Sequence, residues 1–504
     1  MIDDSIRMIL DRQQGDIINC SEKYICVSAC PGAGKTYTLV QKIKKELLEL
    51  KDFQGIIACS FTKESAKEIK SRLNLNKKNE ENSFVGTIDS FVLNLIIRPF
   101  LNRYLLSNSL SQNKITINSV TIDNNRNLNK FTRFYDTNKN VKQEASEYIN
   151  EWYNDLKKGH YKISFATYLL AENIVKMDLF HKYFAIRFPT IYIDEAQDLN
   201  YFQHRLLYQL KNKTNINIVL FGDPNQSIYR FRGARPEYFN RLSSLGYCIK
   251  KITVSVRCHP SILYFANKIF DSSIPVTFSE SHVKVINDID LKFLNSLLGG
   301  VYILVETNET GISIYEEYKN DFDILFSKKL DNLPADYEFN QDIIDELIKY
   351  YINYDNVKDR YKYPLDDLIV YLKNFLINCN RNNFKVNNRT FLEFMCDSTE
   401  LLNIDISLDT LQLIEEKLMD EKYKYYYYVS DKSNKIMTIH SSKGLESDNV
   451  IIYLDSTFPI NDDFRNKLFV AITRAKNNVF ICCASSFAGK DYINSLVNFE
   501  EEIL

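Results

Sequence analysis

The chain has 504 residues, 45% of them hydrophobic and 25% charged, with a formal net charge of −2. That length predicts several domains of about 100–200 residues each, and the near-neutral balance excludes a protein that coats DNA by bulk charge, so any nucleic-acid binding has to come from a local groove. No apolar run approaches the ~20 residues that span a bilayer, and acidic Asp3 and Asp4 stand where a secretory leader would be basic, so the expectation is a cytoplasmic enzyme with no membrane partner.

Short β-branched or aliphatic runs, each followed by a polar turn and a helical pattern, mark parallel α/β units. In chain order, a strand at 24–29 leads into a turn and helix from 31 onward, and a strand at 55–60 leads into a helix over 61–73. The rhythm then breaks: 107–140 is polar and rich in Asn, and 141–184 has helical periodicity. It resumes with strands at 190–193 and 216–221. A second set of strands is predicted at 250–254, 301–306, 323–326, 435–439, 449–454 and 479–484, interrupted by a helical stretch rich in Asp, Asn, Lys and Tyr. The predicted division is therefore 1–98 with 186–248 as a first domain, 99–185 as a helical insertion, 249–326 with 435–504 as a second domain, and 327–434 as a reduced helical insertion. The run Tyr423–Tyr428 reads either as a base-stacking platform or as a strand or helix edge. The ten cysteines are scattered with no Cys-x-x-Cys pair, so they are expected to be reduced and mostly buried rather than metal ligands.

Two segments carry nucleotide chemistry. Ala29-Cys-Pro-Gly-Ala-Gly-Lys-Thr36 follows a predicted strand and opens a helix, so the backbone at Gly32, Ala33 and Gly34 and the helix N-terminus can cradle phosphates. Lys35 can reach the β and γ phosphates, and the Thr36 hydroxyl can bind Mg²⁺; Ala29 stands where the strict pattern has Gly. Ile191-Tyr-Ile-Asp-Glu-Ala-Gln-Asp198 puts an acidic pair at the carboxyl end of another strand. Asp194 can hold Mg²⁺ while Glu195 orients or deprotonates a water. An acidic pair after a strand is common alone. Following such a loop it specifies hydrolysis of a Mg²⁺-bound nucleotide, because ligands of open α/β sheets gather outside the strands' carboxyl ends.

Five further segments in matching order give a resemblance to the UvrD/Rep/PcrA group of superfamily 1 helicases over almost the whole chain. Ser60-Phe-Thr-Lys-Glu-Ser-Ala-Lys-Glu-Ile69 resembles motif Ia, and Val85-Gly-Thr-Ile-Asp-Ser-Phe91 the Thr-Phe-His-Ser motif. Gly222-Asp-Pro-Asn-Gln-Ser-Ile-Tyr-Arg-Phe-Arg-Gly-Ala234 resembles motif III, Ile439-His-Ser-Ser-Lys-Gly-Leu-Glu446 motif V, and Leu468-Phe-Val-Ala-Ile-Thr-Arg-Ala475 motif VI. The resemblance implies two RecA-like parallel-sheet P-loop domains with two mainly helical insertions. It further implies that Lys35 and Glu195 act in catalysis, that Gln226 senses the γ-phosphate at the seam, and that Arg257 and Arg474 supply guanidinium groups from the second domain, in cis. Glu446 would contact the ribose and Gln14 the adenine edge, with Gln13 as the competing register. Phe61, Thr62, Thr87, Phe231, Arg232 and His440 would meet single-stranded DNA; Phe61 and Phe231 have the alternative of being core aromatics.

The sequence also departs from that pattern. Ser255-Val-Arg257 keeps only the Arg of the family's Asn-Tyr-Arg, so Val256 cannot stack on adenine, and Tyr37 is expected to take over. Phe231 replaces a Trp, and Asp89 replaces a His, which removes a DNA contact and adds a negative charge. Glu306 stands where an Arg is usual, and Ser447 replaces the Phe after Gly-Leu-Glu. The function implied is an ATP-dependent DNA helicase or translocase, stimulated by single-stranded DNA and of 3′–5′ polarity, acting on single-stranded or tailed duplex DNA in repair, replication or anti-phage defence. The alternative is an ATP- and DNA-binding regulatory subunit that recruits or licenses a partner nuclease. Compact members of the family include helicase-like subunits of phages and of bacterial anti-phage systems, for example the partner of the nuclease in Gabija.

Overall fold

The structure, a computed structural model, describes residues 4–110, 113–122, 139–270, 280–325, 344–345, 347–348, 392, 395–396, 406–419, 433–458 and 460–498. The chain divides into two compact units, residues 1–284 with 459–479 and 488–504, and residues 285–458 with 480–487.

The first unit is organised by a six-stranded sheet. Its strands are β1 (Tyr24–Ala29), β2 (Ile57–Ser60), β3 (Phe84–Thr87), β6 (Thr190–Ile193), β7 (Asn217–Gly222) and β8 (Cys248–Ile252), in the order β3-β2-β6-β7-β1-β8. Every neighbouring pair is parallel, with Ile57 opposite Phe84 and Ile191, Thr190 opposite Asn217, and Ile25 opposite Ile218's neighbour Val219 on one side and Cys248 on the other. Strand periodicity sends alternate side chains to opposite faces. Cys26, Ile191, Ile193, Ile218 and Leu220 accordingly enter one core, whereas Ile25, Val27, Tyr192, Val219 and Phe221 enter another on the far face.

The first of these cores continues into the insertion. There the helices Arg98–Ser107, Lys139–Lys157, Phe165–Val175 and Asp178–Arg187 and a small parallel pair, β4 (Ser119–Ile122) and β5 (His160–Ile163), bring in Phe100, Trp152, Phe165, Phe180 and Phe184. Each such buried aromatic contributes roughly 1.5–3 kcal/mol of burial. Local capping sets the helix starts: Ser164 and Thr167 form a reciprocal capping box, as do Asn200 and Gln203 at the helix Tyr201–Thr214.

The second sheet has the order β11-β12-β10-β13-β14-β9. Its strands are β9 (Val283–Ile286), β10 (Val301–Val305), β11 (Asp323–Leu325), β12 (Lys435–Thr438), β13 (Ser447–Leu454) and β14 (Ala475–Cys483). Central β10 pairs in parallel with β12 and β13, and β11 with β12. Val301, Ile303, Val305, Ile436, Ile451 and Phe480 build the core, covered by Tyr318 and Phe322. Two six-stranded parallel α/β sheets with helices are the architecture the sequence implied.

One strand assignment is corrected. The strand expected at 250–254 in the second set is β8, and it pairs with β1 in the first sheet. Its alternating Cys-Ile-Lys-Lys-Ile pattern fits a sheet edge, and which sheet it edges is set by pairing across more than two hundred residues, which no local pattern encodes. Of the second insertion expected at 327–434, the helix Leu408–Leu418 is described; Tyr423–Tyr428 lies outside the described residues. All nine cysteines among the described residues are free, and Cys26, Cys59, Cys258, Cys482 and Cys483 are buried.

Candidate active site and nucleic-acid interface

The loop after β1 takes its shape from two glycines and from a distant stretch of backbone. Gly32 and Gly34 both have φ near 70°, the left-handed region that side chains resist. Gly34 is the N-cap of the helix Lys35–Leu47 and offers no side chain to its first N–H groups. A Cβ on Gly32 would lie 2.3 Å from Arg257 Cβ and 2.7 Å from Ser255 Oγ. The loop is tied there, since Cys30 N donates to Ile252 O at 2.9 Å and Val256 N donates to Gly32 O at 3.0 Å. Burial, with Asp223 and Cys258 nearby, pushes the Cys30 thiol well up, so it is not a thiolate.

Of the two registers open for the N-terminal glutamine, Gln14 is the one at the loop: it is buried and its Nε2 donates to Ala33 O at 3.0 Å. Gln13 instead makes a two-way pair with Thr253, donating to Oγ1 at 3.0 Å and accepting from the backbone N–H at 2.9 Å. The helix carrying both, Asp4–Ile18, is secured at its end by buried Lys42, which donates to Ile17 O at 3.1 Å and Cys20 O at 2.7 Å. Tyr37 sits in the first turn after the loop and is half exposed.

At the end of β6, Asp194 and Glu195 face Lys35. Its ammonium is 3.3 Å from Asp194 Oδ1 and also pairs with the Glu195 carboxylate. Thr36 Oγ1 is 3.4 Å from Asp194 Oδ2. Burial raises the pKa of Asp194 and the neighbouring Glu195 adds to the rise, while Lys35 opposes it. Glu195 has φ 57° and ψ 37°, a conformation a glutamate adopts only when its surroundings impose it.

From Glu195 a chain of hydrogen bonds runs to Gln226 and Arg474 through Gln197 and Asp223, which the sequence motifs contained but which had been given no role. Gln197 Nε2 donates to Glu195 Oε2 at 2.6 Å, and its Oε1 accepts from Asp223 N at 3.1 Å. Asp223 Oδ2 accepts from Gln226 Nε2 at 2.8 Å, and Gln226 Oε1 accepts from Arg474 Nη2 at 3.2 Å. Burial pushes Asp223 up from 3.8 to about 6 despite the bonds it accepts. Arg257 reaches Thr473 O at 3.5 Å from Nη1, beside Arg474. Lys35, Thr36, Asp194, Glu195, Gln226, Arg257 and Arg474 thus gather in one unit at the carboxyl ends of β1, β6 and β7, so Arg257 and Arg474, expected from a second domain, belong to the same unit as the glycine loop.

The same unit carries an aromatic face. The Phe61 ring lies 5.0 Å from that of Tyr229, Tyr229 lies 6.0 Å from Phe231, and the Arg232 guanidinium is 5.4 Å from the Tyr229 ring and 5.6 Å from the Phe231 ring. Phe231 is 58% exposed, so it is not a core aromatic, and Phe61 is only partly buried. Tyr229 is the residue that sequence reasoning passed over; its place two positions before Phe231 was the available signal. Thr62 and Thr87 are N-caps, accepting from Ser65 N and Ser90 N, each at 3.2 Å.

Asp89 does not simply add charge. Its carboxylate accepts from the Tyr168 hydroxyl, which in turn accepts from Gln203 Nε2 at 2.9 Å, and desolvation raises its pKa. In the other unit, His440 follows β12 and is partly accessible, Glu446 is exposed just before β13, and Glu306 follows β10. Ser447 is buried and donates to Gly300 O at 2.7 Å.

Comparison with known proteins agrees with this geometry. The UvrD/REP helicase N-terminal domain matches residues 10–164 and 102–245, and the UvrD-like helicase C-terminal domain matches 435–482. Gabija protein GajB of Bacillus cereus is 30% identical over 94% of this chain and 95% of its own length. A probable DNA helicase II homolog of Mycoplasma genitalium is 26% identical over 64% of this chain and 52% of its own length, and the ATP-dependent DNA helicase PcrA of Staphylococcus epidermidis is 25% identical over 45% and 34%. Phosphate loop, acidic pair, aromatic face and near full-length likeness lead to one assignment: the chain belongs to the UvrD-like helicase family.

Proposed function

We propose that the protein is an ATP-dependent DNA translocase and helicase whose hydrolysis is stimulated by single-stranded DNA, with 3′–5′ polarity. The observation that carries this reading is the unbroken run of contacts from Lys35 through Glu195, Gln197, Asp223 and Gln226 to Arg474, on the same unit as the Phe61–Tyr229–Phe231 face. Lys35 holds two carboxylates that would otherwise repel each other, the place a phosphate-bound nucleotide would contest. Thr36 and Asp194 approach each other as ligands of one hard cation would. Mg²⁺ held by them would neutralise charge on the phosphates. The N–H groups at Gly32–Lys35 bind phosphate oxygens, Glu195 takes the proton of the attacking water, and Gln226, Arg257 and Arg474 stabilise charge on the transferred group. Gln14 and Tyr37 receive the adenine, and Glu446 the ribose. Phe61, Phe231 and Arg232 stack on or pair with bases without regard to sequence, while Thr62, Thr87 and His440 serve the backbone.

The proposed domain limits are 1–98 with 186–252, the first domain now taking in β8, and 253–326 with 435–504, with insertions at 99–185 and 327–434, in a cytoplasmic protein. The likeness to a Gabija protein along almost its whole length favours anti-phage defence over repair or replication, and supports the second reading of a subunit that licenses a partner nuclease. ATP hydrolysis by the wild type and Glu195→Gln, with and without single-stranded DNA at fixed low salt, tests the first reading. A many-fold DNA stimulation lost in Glu195→Gln upholds it. Hydrolysis indifferent to DNA overturns it in favour of the licensing subunit, and unwinding of 5′-tailed rather than 3′-tailed duplexes overturns the polarity.

A further inference from the structure

The helix Asp462–Ile472 meets the Gly222–Ala234 segment at three points, and the chemistry proposed above uses one of them. That one is Arg474, just past the helix end, on Gln226. The second is Asn466, buried, whose Nδ2 donates to Pro224 O at 3.1 Å and to Asn225 O at 3.0 Å. A primary amide has two N–H donors, and here both are directed into the back of one short turn. The third, one helical turn earlier, is Asp463, whose Oδ1 is 3.2 Å from Arg230 Nε; Arg230 also holds Glu237 at 2.6 Å. Asp463 and Arg474 are separated by about three helical turns, so the three contacts lie along one side of the helix and its continuation.

The turn that Asn466 grips is small and stiff. Gln226 N donates to Asp223 O at 2.9 Å and Ser227 N to Pro224 O at 3.3 Å, and the Pro224 ring fixes one of its few free torsions. Such a turn has little room to relax internally, so a displacement of its carbonyls carries the Gln226 side chain with it. Arg230 lies between Tyr229 and Phe231 in the chain, so a base that shifts the aromatic face also pulls on Asp463.

We propose that Asn466 is a positioning residue which, with the Asp463–Arg230 pair, forms a clasp that sets Gln226 against Arg474 and makes the aromatic face and the phosphate-facing pair move as one body. The inference rests on the ATPase reading above and deepens it. Asn466→Asp is the informative variant in the full chain, because it keeps the shape of the side chain and turns its donors into an acceptor facing two carbonyl oxygens. At saturating oligothymidylate, its ATPase kcat is expected to fall about tenfold or more. Its KM for ATP and its oligothymidylate affinity should change by less than about twofold. Asn466→Gln, which keeps the amide on a longer arm, should recover part of the loss. Hydrogen exchange at residues 223–227 should be faster in Asn466→Asp than in the wild type. An undiminished kcat overturns the clasp, and so does a uniform fall in kcat, ATP affinity and melting temperature without faster exchange at 223–227. If the wild type itself ignores DNA, the ATPase reading fails; unchanged exchange in Asn466→Asp then overturns the clasp as well, and faster exchange upholds its structural part.

Discussion

Asp223→Asn should make the first unit more stable at neutral pH, by an amount that depends on pH in a set direction. Burial holds the Asp223 carboxyl at about 6 against an ordinary 3.8, so the folded chain binds that proton more tightly than the unfolded chain. The resulting stabilisation is fully present below 3.8 and is lost as the pH rises through about 6. With each tenfold in proton affinity worth about 1.4 kcal/mol, the ionised group costs about 3 kcal/mol at pH 7.5. An asparagine escapes that cost but cannot accept from both Gln226 Nε2 and Asn225 N, which removes a hydrogen bond worth about 1 kcal/mol. The net gain is about 2 kcal/mol at pH 7.5, and it should shrink steadily toward pH 5 and reverse near pH 4. The protein has one tryptophan, Trp152, buried in the core that also takes Ile191 and Leu220 from the first sheet, so its fluorescence in a urea titration follows this unit. A variant no more stable than the wild type at pH 7.5, or one whose advantage is the same at pH 5, would refute the assignment of a buried, high-pKa carboxyl at this position.

Three further substitutions probe separate parts of the site. Phe231→Ala removes an exposed ring from the aromatic face and should weaken binding of single-stranded oligonucleotides of any sequence by about 1–3 kcal/mol, measured by fluorescence anisotropy, with no change in melting temperature. Gly32→Ala places a Cβ at φ 70° and 2.3 Å from Arg257 Cβ, so ATP binding measured by calorimetry should be lost or weakened by at least about tenfold, the backbone strain alone amounting to about 1–2 kcal/mol. Tyr37→Ala should raise the KM for ATP several-fold with kcat retained; an unchanged KM removes Tyr37 from the adenine site.

The parts of the site legible in the sequence are those whose chemistry is local. Glycines at 32 and 34, the Lys35-Thr36 pair and the Asp194-Glu195 pair are short strings that require one backbone shape, and the strands beneath them announce themselves as apolar runs. The illegible parts depend on long-range pairing. Nothing near Asp89 names Tyr168, seventy-nine residues away, as the hydroxyl that binds its carboxylate. Asn466 is an ordinary polar helix residue until the Pro224–Gln226 turn is seen behind it, and β8 looked like the start of a new domain because its partner β1 lies at the other end of the unit's sequence. Gln197 and Tyr229 are intermediate cases: both stood inside recognised strings, but only the hydrogen bonds and ring distances give them work.

The attachment of the phosphate loop to residues 252–257 bears on how the protein can be divided. A fragment ending near residue 245, where the N-terminal family match stops, would contain the whole phosphate-loop string and the acidic pair yet lack β8 and the strand-end backbone to which Cys30 and Gly32 are bonded. Its β1 would become an exposed sheet edge, prone to pairing with other chains, and its loop would have to hold two left-handed glycines unaided. Boundaries chosen by motif alone would therefore leave a fragment with an unpaired strand edge and an unsupported loop, whereas one extended through Arg257 would retain the outer strand and the wall against which the loop is moulded.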